Sequence, residues 1–415
     1  MAGPRDRKPA AAAAQGHSHG GADRPGPKYQ PPRRASAEGC AHDNSVQKRN
    51  PRSLNGETSP AAPPRPADRT YAALDLGTNT CRLLVARPTR RGFRVVDAFS
   101  RIIRLGEGLS GAGRLSEPAM ARTVDALKVC RDKIAYQGVQ RSRIIATEAC
   151  RIAANADEFT ARVHDQTGLC LEIVSRETEA RLAVCGCASL LDGGCEGALV
   201  FDIGGGSSEI IWLDLKPERR RGPLEVQQCI AAWTSLQIGV VTLAEKFGGV
   251  DVTPDIFEAM VAEVRKELEG FDSEHGLGER IFGRNVHMLG TSGTVTTIAG
   301  VHLDLPRYER ARVDGCWLSA DEVVAVTERL LAMNYDERVA SPCIGTERAD
   351  LVLAGCAILE AIRRQWPCAR LRVADRGLRE GILCELMAED GIVARPPRRR
   401  RRRKSKARPQ PAAGG

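Results

Sequence analysis

Two segments of the sequence follow one pattern, and the pattern restricts what the chain can fold into. Ala198–Leu215 (ALVFDIGGGSSEIIWLDL) runs from an apolar stretch through Asp202 into three glycines and two serines, then out along a second apolar stretch that begins at Glu209. Tyr71–Pro88 (YAALDLGTNTCRLLVARP) runs the same way through Asp75 and a Gly77-Thr78-Asn79-Thr80 turn. Each reads as strand, tight polar loop, strand. Three successive glycines cost backbone entropy that an ordinary hairpin does not require, and they leave the loop N–H groups uncovered by side chains. Such a loop suits phosphate. Two of them in one chain suggest two halves facing each other across a ligand.

The segments between and after these hairpins strengthen the duplication. After the first hairpin, Phe93–Leu105 reads as a third strand, and Ser116 reads as the N-cap of a helix that runs to about Gln137 and stops at Gly138. A strand at Arg143–Thr147, a helix at about 156–166, a strand at Cys170–Ser175 and a helix at about 177–190 follow. The second hairpin is followed by an expected strand at Leu224–Trp233, helical material at Gly239–Phe247 and Thr253–Phe271, and a strand at Val286–Leu289. That strand enters Gly290-Thr291-Ser292-Gly293-Thr294, an N–H-rich turn at the mouth of a helix. Helices at about 319–333 and 347–365, a strand at Leu371–Ala374 and a helix at about 377–389 complete the chain. Alternating strands and helices in a repeated order predict two α/β domains, 71–196 and 197–394, with a cleft between them as the ligand site.

Charge belongs to the ends. The chain of 415 residues has a formal charge of +9. Residues 1–70 carry 12 basic and 6 acidic groups, and 395–415 carry 10 basic and none acidic, including Arg398–Arg403, Lys404 and Lys406. Subtracting the tails' +6 and +10 leaves the middle at −7. Both tails lack apolar periodicity and are expected to be disordered. A basic pI would ordinarily suggest nucleic acid; here a phosphate site in the acidic middle must be made locally, and the basic C-terminal tail is the candidate contact for a polyanion such as RNA or polyphosphate. Nothing at the N-terminus reads as a signal peptide and no apolar run reaches the length of a membrane span, so no membrane contact and a cytoplasmic location are expected. The fourteen cysteines fit a reducing compartment; most, including Cys81, Cys130, Cys170, Cys356 and Cys384, sit in apolar stretches as small hydrophobes, and the pair Cys185/Cys187 lacks zinc-site spacing.

Four polar loops converge if the duplication holds: Gly77–Thr80, Gly204–Ser208, Gly290–Thr294 and the strand-to-helix junction at Glu177–Glu179. The first three offer N–H groups and hydroxyls to phosphate oxygens; the fourth offers a carboxylate. Asp202 and Glu209 are hard oxygen donors placed to hold a Mg²⁺ attached to that phosphate. Hydrolysis of a phosphoanhydride needs an aligned water, an acceptor for its proton and cations for the transferred group. Glu179 is a candidate acceptor, with first-turn helix capping as its alternative, and Arg151 is a candidate guanidinium clamp, with a solvated arginine as its alternative.

These residues together resemble the exopolyphosphatase and guanosine pentaphosphate phosphatase (Ppx/GppA) family. The resemblance is carried by LDLGTNT at Leu74–Thr80, the ATEACR segment ending at Arg151, SRETEARL at Ser175–Leu182, FDIGGGSSE at Phe201–Glu209, GTSGT at Gly290–Thr294 and DRGLREGIL at Asp375–Leu383, all in the family's order. It implies two domains of the actin, Hsp70 and sugar-kinase (ribonuclease H-like) fold and a Mg²⁺-dependent release of terminal phosphate from polyphosphate or guanosine pentaphosphate. By the same likeness Glu179 activates water, and Asp202 and Glu209 are the carboxylates associated with Mg²⁺. Gly77, Thr78, Asn79, Thr80, Gly204, Gly205, Gly206, Ser207, Ser208, Gly290, Thr291, Ser292 and Gly293 form the phosphate cradle, and Arg151 contacts phosphate. Ser208 stands where the family often has threonine. Longer members continue into a helical domain, whereas here the basic tail follows the core, as in a short form; a homodimer is expected. Two alternatives stay open: an ATP-using kinase or ATPase of the same fold, and a non-catalytic binder of polyphosphate or alarmone.

Overall fold

The computed structural model describes residues 68–90, 92–215 and 222–392. The expected disorder of 1–67 and 395–415 lies outside the described residues. Residues 69 and 70, assigned to the N-terminal tail from sequence, are instead fastened to the core: Arg69 pairs with Asp390 at 2.8 Å, and the Thr70 N–H donates to the Gln140 side chain at 2.6 Å.

Among the described residues eleven strands form two sheets. In the first, β1 (Tyr71–Leu76), β2 (Thr80–Thr89), β3 (Gly92–Ile102), β4 (Arg141–Ala146) and β5 (Glu172–Ile173) lie in the order β3-β2-β1-β4-β5. In the second, β6 (Gly197–Ile203), β7 (Ser208–Asp214), β8 (Ile230–Leu236), β9 (Val286–Thr291), β10 (Trp317–Ser319) and β11 (Arg370–Ala374) lie in the order β10-β11-β9-β6-β7-β8. Each sheet has an antiparallel meander, β1-β2-β3 or β6-β7-β8, whose first strand pairs in parallel with the next strand of the chain, β4 or β9. The duplication expected from the two hairpins is therefore a duplication of strand order.

The central strands β1 and β6 are buried on both faces, which is why they read as unbroken apolar runs rather than as alternating ones. On the first sheet, Ala72, Leu74 and Leu76 pack with residues of the helices Glu117–Tyr136 and Ala156–Thr167, while Tyr71 and Ala73 pack against Leu378, Ile382, Leu383 and Leu386 of the last helix, Leu378–Glu389. On the second sheet, Leu199 and Phe201 face the helices Pro254–His275 and Val352–Gln365, while Ala198 and Val200 face Ala180, Val184 and Cys187 of the helix Arg176–Cys187. The two covering helices are exchanged. The helix that ends the first half of the chain covers the second sheet, and the helix that ends the second half covers the first. They meet backbone to backbone: a Cβ at Gly186 would collide with the Gly377 carbonyl, and one at Gly381 with the carbonyl of Leu182. A boundary at 196/197, which we retain as a proposal, separates the sheets while two helices cross it.

Local differences from the sequence reading have physical causes. Leu224–Trp233, expected as strand, begins as a helical turn at Pro223–Val226, because proline suits the first turn of a helix; the strand starts at Ile230. Gly290 and Thr291, expected in a turn, belong to β9. The helix expected from Glu347 starts at Val352, and the strand expected over 170–175 is two residues long. Cys170, expected in an apolar setting, is exposed. Among the described residues no helix is long and apolar enough to cross a membrane.

Candidate active site

The two hairpin loops meet at the C-terminal ends of β1 and β6, and they are built alike. The Gly77 N–H donates to the Thr80 carbonyl at 2.9 Å, and the Gly204 N–H donates to the Ser207 carbonyl at 2.9 Å. The carbonyls of Gly204 and Gly205 accept from the N–H groups of Val240 and Val241 at 3.0 and 2.8 Å, so the helix Val240–Phe247 holds the loop from behind. The N–H groups of Gly205, Gly206 and Ser207 have no acceptor among the described residues. Glycine is required here by close approach: a Cβ on Gly206 would lie 2.7 Å from the Thr78 hydroxyl, and one on Gly205 would lie 3.1 Å from Asn79 N. The loops of the two halves are thus in contact.

They line a cavity of about 130 Å³ together with Asp75, Arg82, Thr147, Glu179, Asp202, Glu209, Ser292, Gly293 and Thr294. Ser292 holds a φ of 92°, a strained value for a residue with a side chain, and it precedes the helix Gly293–His302, whose N-terminus supplies further N–H groups. The Ser292 hydroxyl and the Asn79 side-chain oxygen are buried without a hydrogen-bond partner among the described residues. Polar atoms left in that condition at the floor of a cavity suit an incoming ligand.

Carboxylates gather at the same place. Asp202 and Glu209 are cross-strand partners on β6 and β7. Glu209 is 1% exposed and accepts from the Ser207 and Ser235 hydroxyls at 2.9 and 2.8 Å, both on Oε1. Burial pushes its carboxyl well above the usual range, and the neighbouring Glu179 and Asp202 push it further. Burial likewise pushes Asp202 up to about 6, with Asp75 adding to the shift and Arg82 opposing it, and raises Asp75. Glu179, in the first turn of Arg176–Cys187, is pushed up to about 7 by burial despite the opposing Arg151 guanidinium, which donates to Glu179 Oε2 at 2.6 Å. Excess buried negative charge of this kind is the environment a divalent cation relieves.

Three residues expected in the cradle and the expected clamp Arg151 do not line this cavity, although Thr291 lines the larger chamber that opens from it. The Ser208 hydroxyl is buried and donates to the Ile238 carbonyl at 2.7 Å. Gly290 lies inside β9, where a Cβ would strike the Phe201 ring, and the Thr291 hydroxyl donates to the Arg376 carbonyl at 2.8 Å. Arg151, expected as a phosphate clamp, directs its guanidinium to Glu148, the Val174 carbonyl and Glu179. The polar side chains of Ser208, Thr291 and Arg151 are thus already satisfied by the protein.

A second chamber of about 750 Å³ opens from the first past Asp75, Arg82, Asp202 and Arg348, and is lined further on by Arg101, Tyr308, Arg310, Arg376 and Arg379. Burial and the charge of Arg82 lower the basicity of Arg379. Arg310 is paired there with Asp375 and Glu380, and Arg376 with Asp314. Arg101, Arg348 and Arg379 have no carboxylate partner among the described residues and are the guanidinium groups an anion would meet.

Residues 84–390 match the Ppx/GppA phosphatase family. The chain belongs to that family. It is 28% identical over 330 residues to exopolyphosphatase 2 of Mycobacterium tuberculosis, an alignment that covers 76% of this chain and 98% of that protein. It is 29% identical over 332 residues to the guanosine-5'-triphosphate,3'-diphosphate pyrophosphatase of Photobacterium profundum, covering 78% of this chain and 60% of that one. The crystal structure of the Aquifex aeolicus Ppx/GppA family member superposes with a TM-score of 0.62 at 27% identity, over 77% of this chain and 98% of that chain. In this Ppx/GppA chain, Arg82, Arg348 and Arg379 are the cavity residues that the sequence reading passed over. Arg82 carried a signal: it follows Asp75 by the same seven positions that separate Glu209 from Asp202, and each pair is in register across its hairpin. Arg379 lies in the DRGLREGIL motif but was given no role there, and Arg348 reaches the cleft through tertiary packing and carried no signal.

Proposed function

We propose that this chain hydrolyses a phosphoanhydride, releasing the terminal phosphate of inorganic polyphosphate or guanosine pentaphosphate. The observation that carries the reading is the position of the Glu179 carboxylate, on the wall of a cavity whose floor is made by two facing hairpin loops. The relatives named exopolyphosphatase and guanosine pentaphosphate pyrophosphatase support the same class of substrate.

In this account the N–H groups of Gly205, Gly206 and Ser207 and the start of the helix Gly293–His302 hold the terminal phosphoryl group, with Thr78, Thr80 and Ser292 adding hydroxyls. Glu179 accepts the proton of the attacking water; a carboxylate held near neutrality is a stronger base than an exposed one and is still ionised in a useful fraction at neutral pH. Arg82 and Arg348 face the oxygens of the leaving portion, and the larger chamber beyond them has room for the remainder of the substrate.

Mg²⁺ fits the residues present. Asp202 and Glu209 supply hard oxygen ligands on adjacent strands with raised affinity for protons, and Asp75 adds a third carboxylate nearby. Among the described residues no three His, Cys, Asp or Glu side chains form a cage of their own; Mg²⁺ is usually held by one or two carboxylates, water and substrate phosphate. When bound it would neutralise charge on the phosphoryl oxygens.

A homodimer, a cytoplasmic location and a polyanion-gathering role for Arg398–Lys406 belong to the same proposal. Deleting 395–415 tests the last: loss of turnover confined to long polyphosphate supports recruitment of substrate, and loss confined to RNA binding contradicts it. The hydrolase reading is tested by phosphate release from both substrates, with ATP as the competing one; consumption of ATP alone contradicts it.

A further inference from the structure

We propose that Glu148 positions Glu179 for proton abstraction, acting through Arg151. The inference rests on the hydrolase reading above. Glu148 opens the short helix Glu148–Ile152 that follows β4, and Arg151 lies three residues on, over the same face. The Glu148 carboxylate is 2% exposed. It accepts from Arg151 Nη1, from Arg176 Nη2 at 2.6 Å and from Arg176 Nε at 3.2 Å. Arg151 in turn gives Nε to the Val174 carbonyl at 3.0 Å and Nη2 to Glu179 Oε2 at 2.6 Å.

Arg176 and Glu179 stand one turn apart on one helix, as Glu148 and Arg151 do on another, and the four side chains form a row, Arg176, Glu148, Arg151, Glu179, in which charges alternate. All three directions of the Arg151 guanidinium are occupied. With a single carboxylate beside it, this arginine would be able to swing toward a phosphate or to pair bidentately with the base. Shared between two carboxylates and a carbonyl, it offers Glu179 one fixed hydrogen bond, on Oε2. That leaves Oε1 as the oxygen that meets water.

Glu148 also sits behind the glycine loop of the other sheet. Its Cγ is 3.3 Å from where a Cβ on Gly206 would be. The residue that orients the base therefore touches the segment that would hold the phosphate, which couples the two positions. A buried ion cluster replaced as a whole by apolar groups of like volume is often no less stable; orientation is what an ion pair with fork geometry adds.

The test compares Glu148→Gln and Glu148→Asp in the full chain, each in the parent and in the Glu179→Gln background, with kcat and KM measured on polyphosphate and melting followed in parallel. In the parent background Glu148→Gln is expected to lower kcat about 10- to 100-fold, the loss that a misplacement of about an ångström produces, with KM little changed and partial recovery in Glu148→Asp. In the Glu179→Gln background the same change is expected to cost nothing further, because it acts through the missing base. Equal losses in both backgrounds, or a lowered melting temperature with kcat intact, would overturn the proposal while leaving Glu179 as the base. If Glu148→Gln does not fold, Glu148→Asp carries the same comparison. A Glu179→Gln chain as fast as the parent would overturn Glu179 as the base and this inference with it, whereas a parent chain that releases no phosphate from either substrate would overturn the hydrolase reading.

Discussion

Asp202 and Glu209 face each other across the β6–β7 hairpin, and Asp75 and Arg82 occupy the corresponding positions across β1–β2. One hairpin design has been given two carboxylates in the second sheet and one carboxylate with one guanidinium in the first. The two copies meet face to face, so the cleft presents hard anions on one wall and mixed charge on the other. A substrate that is itself a polyanion accompanied by a cation fits that division.

If Glu179 is the proton acceptor, its replacement by Gln removes the base while keeping the shape and most of the hydrogen bonding. Phosphate release is expected to fall about 10²- to 10⁴-fold, with substrate affinity close to that of the parent in equilibrium binding. A fall in affinity with turnover preserved would place Glu179 in binding instead.

Protonation and metal binding are linked. Burial raises Glu179 to about 7 and Asp202 to about 6, above the values expected for the unfolded chain. Between those unfolded and folded values the native state holds more protons than the unfolded state. These groups therefore cost stability as pH rises toward 7. A divalent cation replaces the protons. Melting in Mg²⁺ against EDTA is expected to show a larger stabilisation at pH 8 than at pH 5; a stabilisation that does not vary with pH would contradict the placement of the cation among these carboxylates.

Gly206→Ala tests the contact between the loops. The new methyl would lie 2.7 Å from the Thr78 hydroxyl, and forcing the loops apart is expected to cost ~1–3 kcal/mol, read as a loss of roughly 10-fold or more in kcat/KM. Gly193→Ala, whose Cβ meets nothing within 4 Å, is the control and should leave kcat/KM unchanged.

Much of this was legible in the sequence, for an identifiable reason. The hairpins at Asp75 and Asp202 announce themselves because apolar runs, an acid and a glycine turn are all local, and the strand order they imply is the one found. The helix Glu117–Tyr136 was readable from its cap, and the Ser116 side chain does accept from the Ala119 N–H. What failed was the assignment of hydroxyls and charges in these motifs to ligand or to protein. Ser207 and Ser208 are adjacent and chemically identical, yet strand alternation turns one toward the cavity and Glu209 and the other toward the Ile238 carbonyl. Arg151 failed in the same way: Glu148 is its i,i+3 neighbour on one short helix, but Glu179, 28 residues on, and the Val174 carbonyl are brought to it only by the fold. The exchange of the covering helices carried no sequence signal, because an apolar helix face does not name the sheet it will meet.

That pair of serines yields a direct comparison. Ser208→Ala is expected to lower stability by about 1 kcal/mol, through a lost buried hydrogen bond, with KM unchanged. Ser207→Ala removes a donor to Glu209 and an edge of the cavity, so KM should rise with little change in melting temperature. The reverse pattern in thermal melts and kinetics would contradict the placement of the two side chains.

Two polar contacts join the sheets at the edge of the cleft. Arg104 gives both terminal nitrogens to Asp350 at 2.8 and 3.0 Å, and Glu245 accepts from the Gly108 N–H and the Ser110 hydroxyl at 2.8 and 2.7 Å. Both are partly exposed, and contacts of that kind contribute on the order of 1 kcal/mol or less each. The double variant Glu245→Gln, Asp350→Asn is expected to raise KM a few-fold, with a larger radius of gyration in solution scattering. Unchanged scattering and KM would show that the contacts do not hold the cleft closed.

The central claim is tested most directly by phosphate release from polyphosphate of defined lengths and from guanosine pentaphosphate, with Mg²⁺ and with EDTA, for the full chain and Glu179→Gln. The expected result is release that requires the divalent cation and is lost in the variant, with the faster substrate identifying the preferred one. Release of equal rate in parent and variant, or no release from either substrate while ligand still binds, would contradict it.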